Sequence, residues 1–191
     1  MYESTPDPYC YPGSGVLINR LGLRDQGELD AFEALITAQR GEEPLPRGRL
    51  GYAHYRAIHR HLFQDVFDWA GKIRRVRIAK GDSMFCYPEH IDGEMRKLFA
   101  QLSAARFLRG LSPEEFARRS AHVLAELNAI HPFREGNGRT QLTYLALLAA
   151  RAGRPLSLER MNPKAMLAAM VASFTGDEAP LASLILELME P

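Results

Sequence analysis

The chain has 191 residues, 46% of them hydrophobic, with 24 Lys and Arg against 23 Asp and Glu. That length and balance describe one ordinary globular domain and give no electrostatic reason to bind nucleic acid or an anionic membrane. No apolar run approaches the roughly 20 residues of a membrane span, and MYESTPDPYCYPGSG at the start lacks the basic and apolar regions of a signal peptide. Cys10 and Cys86 form neither a metal spacing nor a disulfide framework, so a cytoplasmic location is the expectation.

Residues 1–27, interrupted by Pro6, Pro8, Pro12, Gly13, Gly15 and Gly22, read as an irregular arm ahead of a first helix near 28–40. GEEPLPRGR at 41–49 breaks the chain again. From Leu50, the apolar residues Tyr55, Ile58, Leu62, Phe63 and Val66 recur at helical spacing. Arg75 to Ile78 alternates in polarity, GDSMF turns and FCY returns, which predicts a small hairpin over 73–87. Ile91, Met95, Leu98, Phe99 and Leu102 mark another helix. Ser112, Pro113 and Glu115 supply a capping hydroxyl, a fixed first turn and a carboxylate for the dipole, opening a helix that runs to about Ile130. After Arg139, Leu142, Leu145, Leu148 and Ala149 resume helical spacing up to Gly153. Two more helical stripes lie in 163–174 and 180–189. The fold class is therefore all-α with one β-hairpin, and the arm precedes a single domain over 28–191.

Several conspicuous residues carry plain readings. Arg74, Arg75, Arg77 and Lys80 form a basic run suited to a solvated surface or a phosphate. Of His54, His59 and His61, only the first and last share a helix face, so a three-histidine metal site is not expected. His122 and Glu126, one turn apart, read as a buried hydrogen-bonded pair, and Trp69 as a core residue beside Phe67.

Chemistry concentrates in IHPFREGNGRTQ at 130–141. Pro132 and Gly136 suit a turn of about six residues between two helices. Gly136, Asn137 and Gly138 fall where a helix begins, and unpaired backbone N–H groups with small side chains make an anion seat. Arg139 adds a planar cation matched to phosphate oxygens. Glu135 is a hard oxygen ligand of the kind that holds magnesium beside phosphates. His131 is the loop's one group able to take a proton near neutrality. Base, metal ligand and phosphate cradle together suit phosphoryl or nucleotidyl transfer.

His131, Pro132, Phe133, Glu135, Gly136, Asn137, Gly138 and Arg139 match eight fixed positions of HPFx[D/E]GNGRxxR, and the chain thereby resembles the Fic family of bacterial toxins and secreted effectors. YRAIHRHLFQDVFDWAGKIRRVRIAKGDSMFC at 55–86 and DPYCYPGSGVLINRLGLRD at 7–25 are similar to that family's helix-and-flap segment and N-terminal arm. The resemblance implies a helical Fic domain with a flap about 73–87 and a motif loop at 131–139. It also implies transfer of AMP from ATP, with Mg2+, to a Tyr, Thr or Ser hydroxyl of a target protein, releasing pyrophosphate. His131 would be the base and Glu135 the magnesium ligand. Gly136, Asn137, Gly138 and Arg139, with Lys80 and Gly81 of the flap, would bind the nucleotide, and Phe133 would anchor the loop. The target would dock by strand pairing on the flap, and nucleic acid and membrane are not expected partners. An effector would be delivered into a host cell.

The ninth motif position holds Leu142 instead of an arginine, which leaves a weakly catalytic binding module, or transfer of another phosphate-containing group, as alternatives. No full copy of the family's inhibitory pattern [S/T]xxxE[G/N] occurs; Ser183 to Glu187 has its spacing but is followed by Leu188. A separate small inhibitory antitoxin is the expected partner.

Overall fold

The computed structural model describes residues 7–80 and 83–190. Among them are seven α-helices: α1 (Gln26–Glu42), α2 (Tyr52–Phe63), α3 (Pro88–Ala104), α4 (Pro113–Ile130), α5 (Asn137–Ala152), α6 (Pro163–Phe174) and α7 (Ala179–Leu188). Their starts follow from local chemistry. The Asp25 carboxylate accepts the Glu28 N–H at α1, the Ser112 hydroxyl accepts the Glu115 N–H at α4, and the Asn162 side chain accepts from Lys164 and Ala165 at α6. Pro113 and Pro163 follow two of these caps, where a missing N–H costs nothing.

Helix α4 is the centre of the molecule. Phe116, Ala117, Ala121, Leu124, Leu127 and Ile130 are buried along it, and α3, α5, α6 and α7 all pack on it. Helix α2 joins α1 to α5 on the far side. An aromatic knot crosses this layer: Tyr55 stacks on Phe133 at 5.7 Å and meets Tyr144 edge-on at 5.3 Å, and Tyr144 meets Phe99 at 5.6 Å. Edge-to-face and offset geometries are the favourable ones for such rings. On α7, Leu181, Ile185 and Leu188 are buried, which is the packing stripe its sequence predicts.

The hairpin is shorter than 73–87. Strand β1 (Ala79–Lys80) pairs antiparallel with β2 (Ser83–Met84), Ala79 opposite Met84 and Lys80 opposite Ser83. The Phe85 N–H donates to Ile78 O at 3.3 Å across the hairpin, but farther out the bonds go elsewhere: the Arg74 N–H donates to Pro132 O at 3.0 Å, and the Cys86 N–H donates to Ala129 O at 3.0 Å. The outer residues of the predicted hairpin are thus bonded to the last turn of α4 and the loop that follows it.

The N-terminal arm is built into the domain. Val16 and Leu17 are buried with the core, the Tyr9 ring meets Trp69 edge-on at 5.6 Å, and the Arg20 N–H donates to Val66 O at 2.9 Å. Trp69 stacks on Phe67 at 4.3 Å, as read from sequence. His122 differs: its Nδ1 lies 2.9 Å from Glu178 Oε1 on the surface, because His122 points toward the start of α7 and not along its own helix to Glu126. No helix among the described residues is long and apolar enough to cross a membrane.

Candidate active site

The motif loop leaves α4 at His131, which takes left-handed backbone angles (φ 49, ψ 63) as the helix C-cap. Glycine is the usual residue in that conformation, so a histidine there is held by its surroundings. The His131 N–H donates to Leu127 O at 2.9 Å, and its carbonyl accepts the Arg74 Nε–H at 2.8 Å. The imidazole stacks on Phe85, centroids 3.9 Å apart, and Nδ1 lies 3.3 Å from Asn128 O. Donation of an Nδ1 proton to that carbonyl leaves Nε2 as the basic nitrogen. Burial, with the Arg74 and Lys80 charges nearby, pushes the His131 pKa down to about 4.

Arg74 corrects the reading of the basic run. It is wholly buried, and besides His131 O its guanidinium donates to Val76 O at 2.6 Å, Cys86 O at 2.6 Å and Ile130 O at 3.2 Å. One side chain therefore satisfies carbonyls at the end of α4 and on both flanks of the hairpin. Burial holds its pKa below the ordinary arginine value. Arg75 and Arg77 remain on the surface, Arg77 lying over the Tyr87 ring at 4.2 Å.

Phe133 is fully buried, in the aromatic knot. Its backbone is closed by Asn137, whose Oδ1 accepts the Phe133 N–H at 3.0 Å and whose Nδ2 donates to Phe133 O at 2.8 Å. The Asn137 side chain is thus a loop brace, and what it can offer an anion is its backbone N–H at the start of α5. Gly136 sits at φ 81 against the Phe63 ring, which a Cβ would overlap. Gly138 is exposed with open space beside it. Only glycine lets the chain turn at 136 while leaving the N-terminus of α5 approachable.

His59, considered in sequence only as a metal ligand, supports the same loop. Its Nδ1 accepts the Gly71 N–H at 2.8 Å, so its Nε2–H donates to Glu135 O at 2.9 Å. Its ring stacks on Phe133 at 3.7 Å, and burial lowers its pKa to about 3, keeping it neutral. Among the described residues no group of three or more His, Cys, Asp and Glu is placed to hold a metal. His54 and His61 are bound to the backbone carbonyls of Pro46 and Arg40.

Arg139 points back across the start of α5. Its guanidinium lies 4.8 Å over the Phe63 ring, donates to Thr37 Oγ1 at 3.1 Å and pairs with Glu33, while Glu135 Oε1 lies 3.9 Å away. Glu33 and Thr37 come from α1, where with Leu29 they form the buried i, i+4, i+8 stripe. Polar residues on an otherwise buried stripe were the sequence signal for a facing cation. Burial raises the Glu33 pKa, with the Arg139 charge opposing. Glu33, Glu135, Arg139, Asp30, Gln26, Leu29 and Leu17 line a cavity of about 330 Å³. Glu135 Oε1 accepts the Gly136 N–H at 2.8 Å.

Lys80 is exposed on β1, and Gly81 lies outside the described residues. Leu142 is half-buried, packed against the core one turn beyond Arg139. Arg134, which no sequence signal singled out, pairs with Asp7 of the arm at 2.8 Å. The structure thus gathers His131, Glu135, Gly136, Asn137, Gly138 and Arg139 at the junction of α4 and α5.

Comparison with known proteins gives a consistent picture. The Fic/DOC family profile matches residues 49–149. "Probable protein adenylyltransferase y4lH" of Sinorhizobium fredii is 54% identical over 183 residues, covering 95% of each chain. "Probable protein adenylyltransferase Fic" of Escherichia coli is 39% identical, over 90% of this chain and 86% of that one. Among solved structures, the N-terminal Fic domain of a VirB-translocated effector from Bartonella quintana, with bound ADP, superposes with a TM-score of 0.86 at 30% identity. That match covers 96% of this chain and 94% of the other.

Proposed function

Because the chain belongs to the Fic/DOC family, we propose that it is a protein adenylyltransferase moving AMP from ATP to a Tyr, Thr or Ser hydroxyl of a target protein. The observation that carries this reading is the spatial order of the site. A neutral, half-buried histidine at the end of α4 and the open N-terminus of α5 with Arg139 are joined by one six-residue turn. In the transfer, the target hydroxyl oxygen bonds to the α-phosphorus, the bond from that phosphorus to the bridging oxygen breaks, and pyrophosphate leaves. The hydroxyl proton passes to His131 Nε2. Backbone N–H groups of Gly138 and its neighbours, with the Arg139 guanidinium, take the phosphate charge.

The donor set fits magnesium: Glu135 presents one carboxylate on the cavity beside the phosphate seat, and this ion is commonly held by one or two carboxylates plus phosphates and water. When bound, it would neutralise charge between adjacent phosphates. Lys80 and Gly81 on the flap flank the nucleotide in this reading, and the short β1–β2 pair offers backbone for strand addition by the target. A separate small protein is the expected inhibitor, since the Ser183–Glu187 segment is committed to packing through Ile185 and Leu188. Action inside the bacterium as a toxin and action in a host as an effector share all of this chemistry.

Substitution His131→Ala tests the reading. Label from α-³²P-ATP should no longer reach protein, while ATP affinity stays within about two-fold, because the phosphates are held elsewhere. Transfer persisting above a few per cent of wild type removes His131 as the base.

A further inference from the structure

Helix α6 buries Met166, Ala169 and Ser173, and on its opposite side Leu167, Val171 and Phe174 recur at i, i+4 and i+7. Leu167 is 57% exposed and Val171 61%, although both are large apolar side chains. Single exposed apolar residues are ordinary. This row differs in where it leads. Phe174, at its end, meets the Phe85 ring edge-on at 5.6 Å, and Phe85 is the ring stacked on His131 at 3.9 Å. Met84, 53% exposed, stands beside Phe85 on the flap.

We infer that the Leu167–Val171–Phe174 row is a docking surface for the target protein, and that it selects targets with an apolar side chain at a fixed distance from the modified hydroxyl. The inference rests on the transferase reading. A protein delivering a hydroxyl to His131 must cover the surface beside that base, and the apolar part of that surface runs along α6, continuous with the ring against the imidazole. Length sets the spacing. Seven residues of helix from Leu167 to Phe174 rise about 10 Å, and the two ring steps bring the row to within about 20 Å of His131. An extended segment at about 3.3 Å per residue places the apolar contact roughly three to six residues from the hydroxyl.

The test uses the whole chain, α-³²P-ATP and two acceptors: a bacterial lysate, and arrayed peptides with one Tyr, Thr or Ser and a single Leu placed one to eight positions away. Wild type should label peptides best, by about five-fold or more, with Leu three to six residues from the hydroxyl. The double substitution Leu167→Glu/Val171→Glu should erase that preference and lower transfer to lysate proteins about ten-fold, with ATP affinity and helical circular dichroism unchanged. Both sites are well exposed, so the fold is not at stake; Leu167→Gln/Val171→Gln repeats the test without added charge. Unchanged lysate labelling in both variants overturns the inference. So does a wild-type dimer, seen by sedimentation, that the variants dissolve without losing transfer, since the row would then join two copies. If wild type labels neither acceptor, the transferase reading itself fails, and the docking surface with it.

Discussion

His131 illustrates how much a single residue's setting decides. A free histidine titrates near 6.5 and would lose its basic form below that, whereas burial and the neighbouring cations set His131 at about 4. Transfer should therefore hold up as pH falls through 6 and 5, with its acid limb near pH 4 in a pH–rate profile; a limb near 6.5 would mean a solvated imidazole. The same displacement bears on stability. The folded-state pKa is depressed, so the contribution is present above about 6.5 and is lost as pH falls through about 4, since the unfolded chain takes up the proton first. The histidine itself was legible in the sequence, because its motif is local. Its left-handed backbone and its stacking on Phe85 were not, because Phe85 lies 46 positions away. Leu142 was legible as a departure and ambiguous in orientation. Being half-buried, it leaves room for a long side chain to reach solvent with its head while its stem packs. Leu142→Arg is expected to tighten ATP binding at least five-fold at a stability loss of about 1–2 kcal/mol. Titration and thermal unfolding of that variant check both, and an unchanged ATP affinity would show that this face turns away from the phosphates.

Among the elements, the helices were readable and the hairpin only in part, for one physical reason. A helix closes its own hydrogen bonds within four residues, so periodicity and caps such as Asp25, Ser112 and Asn162 suffice. The flap's flanks close theirs on the end of α4, and nothing in RRVRIAK announces that its first arginine is buried. Alternation of Val76 and Ile78 suggested a longer pairing than the structure holds: Ile78 O still accepts the Phe85 N–H, but farther out Arg74 and Cys86 bond to the loop after α4 and to its last turn. Arg74 is where this matters for activity. Lysine can place one ammonium where the guanidinium serves four carbonyls in a planar fork. Arg74→Lys is expected to cost about 2–4 kcal/mol in denaturant unfolding, because carbonyls are left buried and unpaired. It should also reduce kcat by more than it changes the KM for ATP, since the base moves and the phosphate seat does not. Equal loss in both parameters would place the damage in nucleotide binding.

At the scale of the molecule, the arm and the domain are one body. Residues 1–27 read from composition as an irregular arm, yet Asp7 reaches Arg134 inside the motif loop, and Tyr9 accepts from the Arg75 N–H at 3.2 Å. Composition reports local conformational freedom and is silent on a partner far along the chain. Asp7→Ala should lower stability by about 1 kcal/mol, the scale of a partly exposed pair, and should slow transfer while leaving helical circular dichroism unchanged. Full activity in that variant would confine the arm to packing.

The braces of the loop also have an order in time. Asp7, Glu33, His59 and Arg74 contact Arg134, Arg139, Glu135 and His131 across separations of 127, 106, 76 and 57 residues. Each brace stands on the N-terminal side of the residue it holds. During synthesis the chain emerges from its N-terminus, so these four supports have left the ribosome before the loop does. The motif then meets partners already synthesised, with Arg134 and Arg139 closing the longest of these contacts and His131 the shortest.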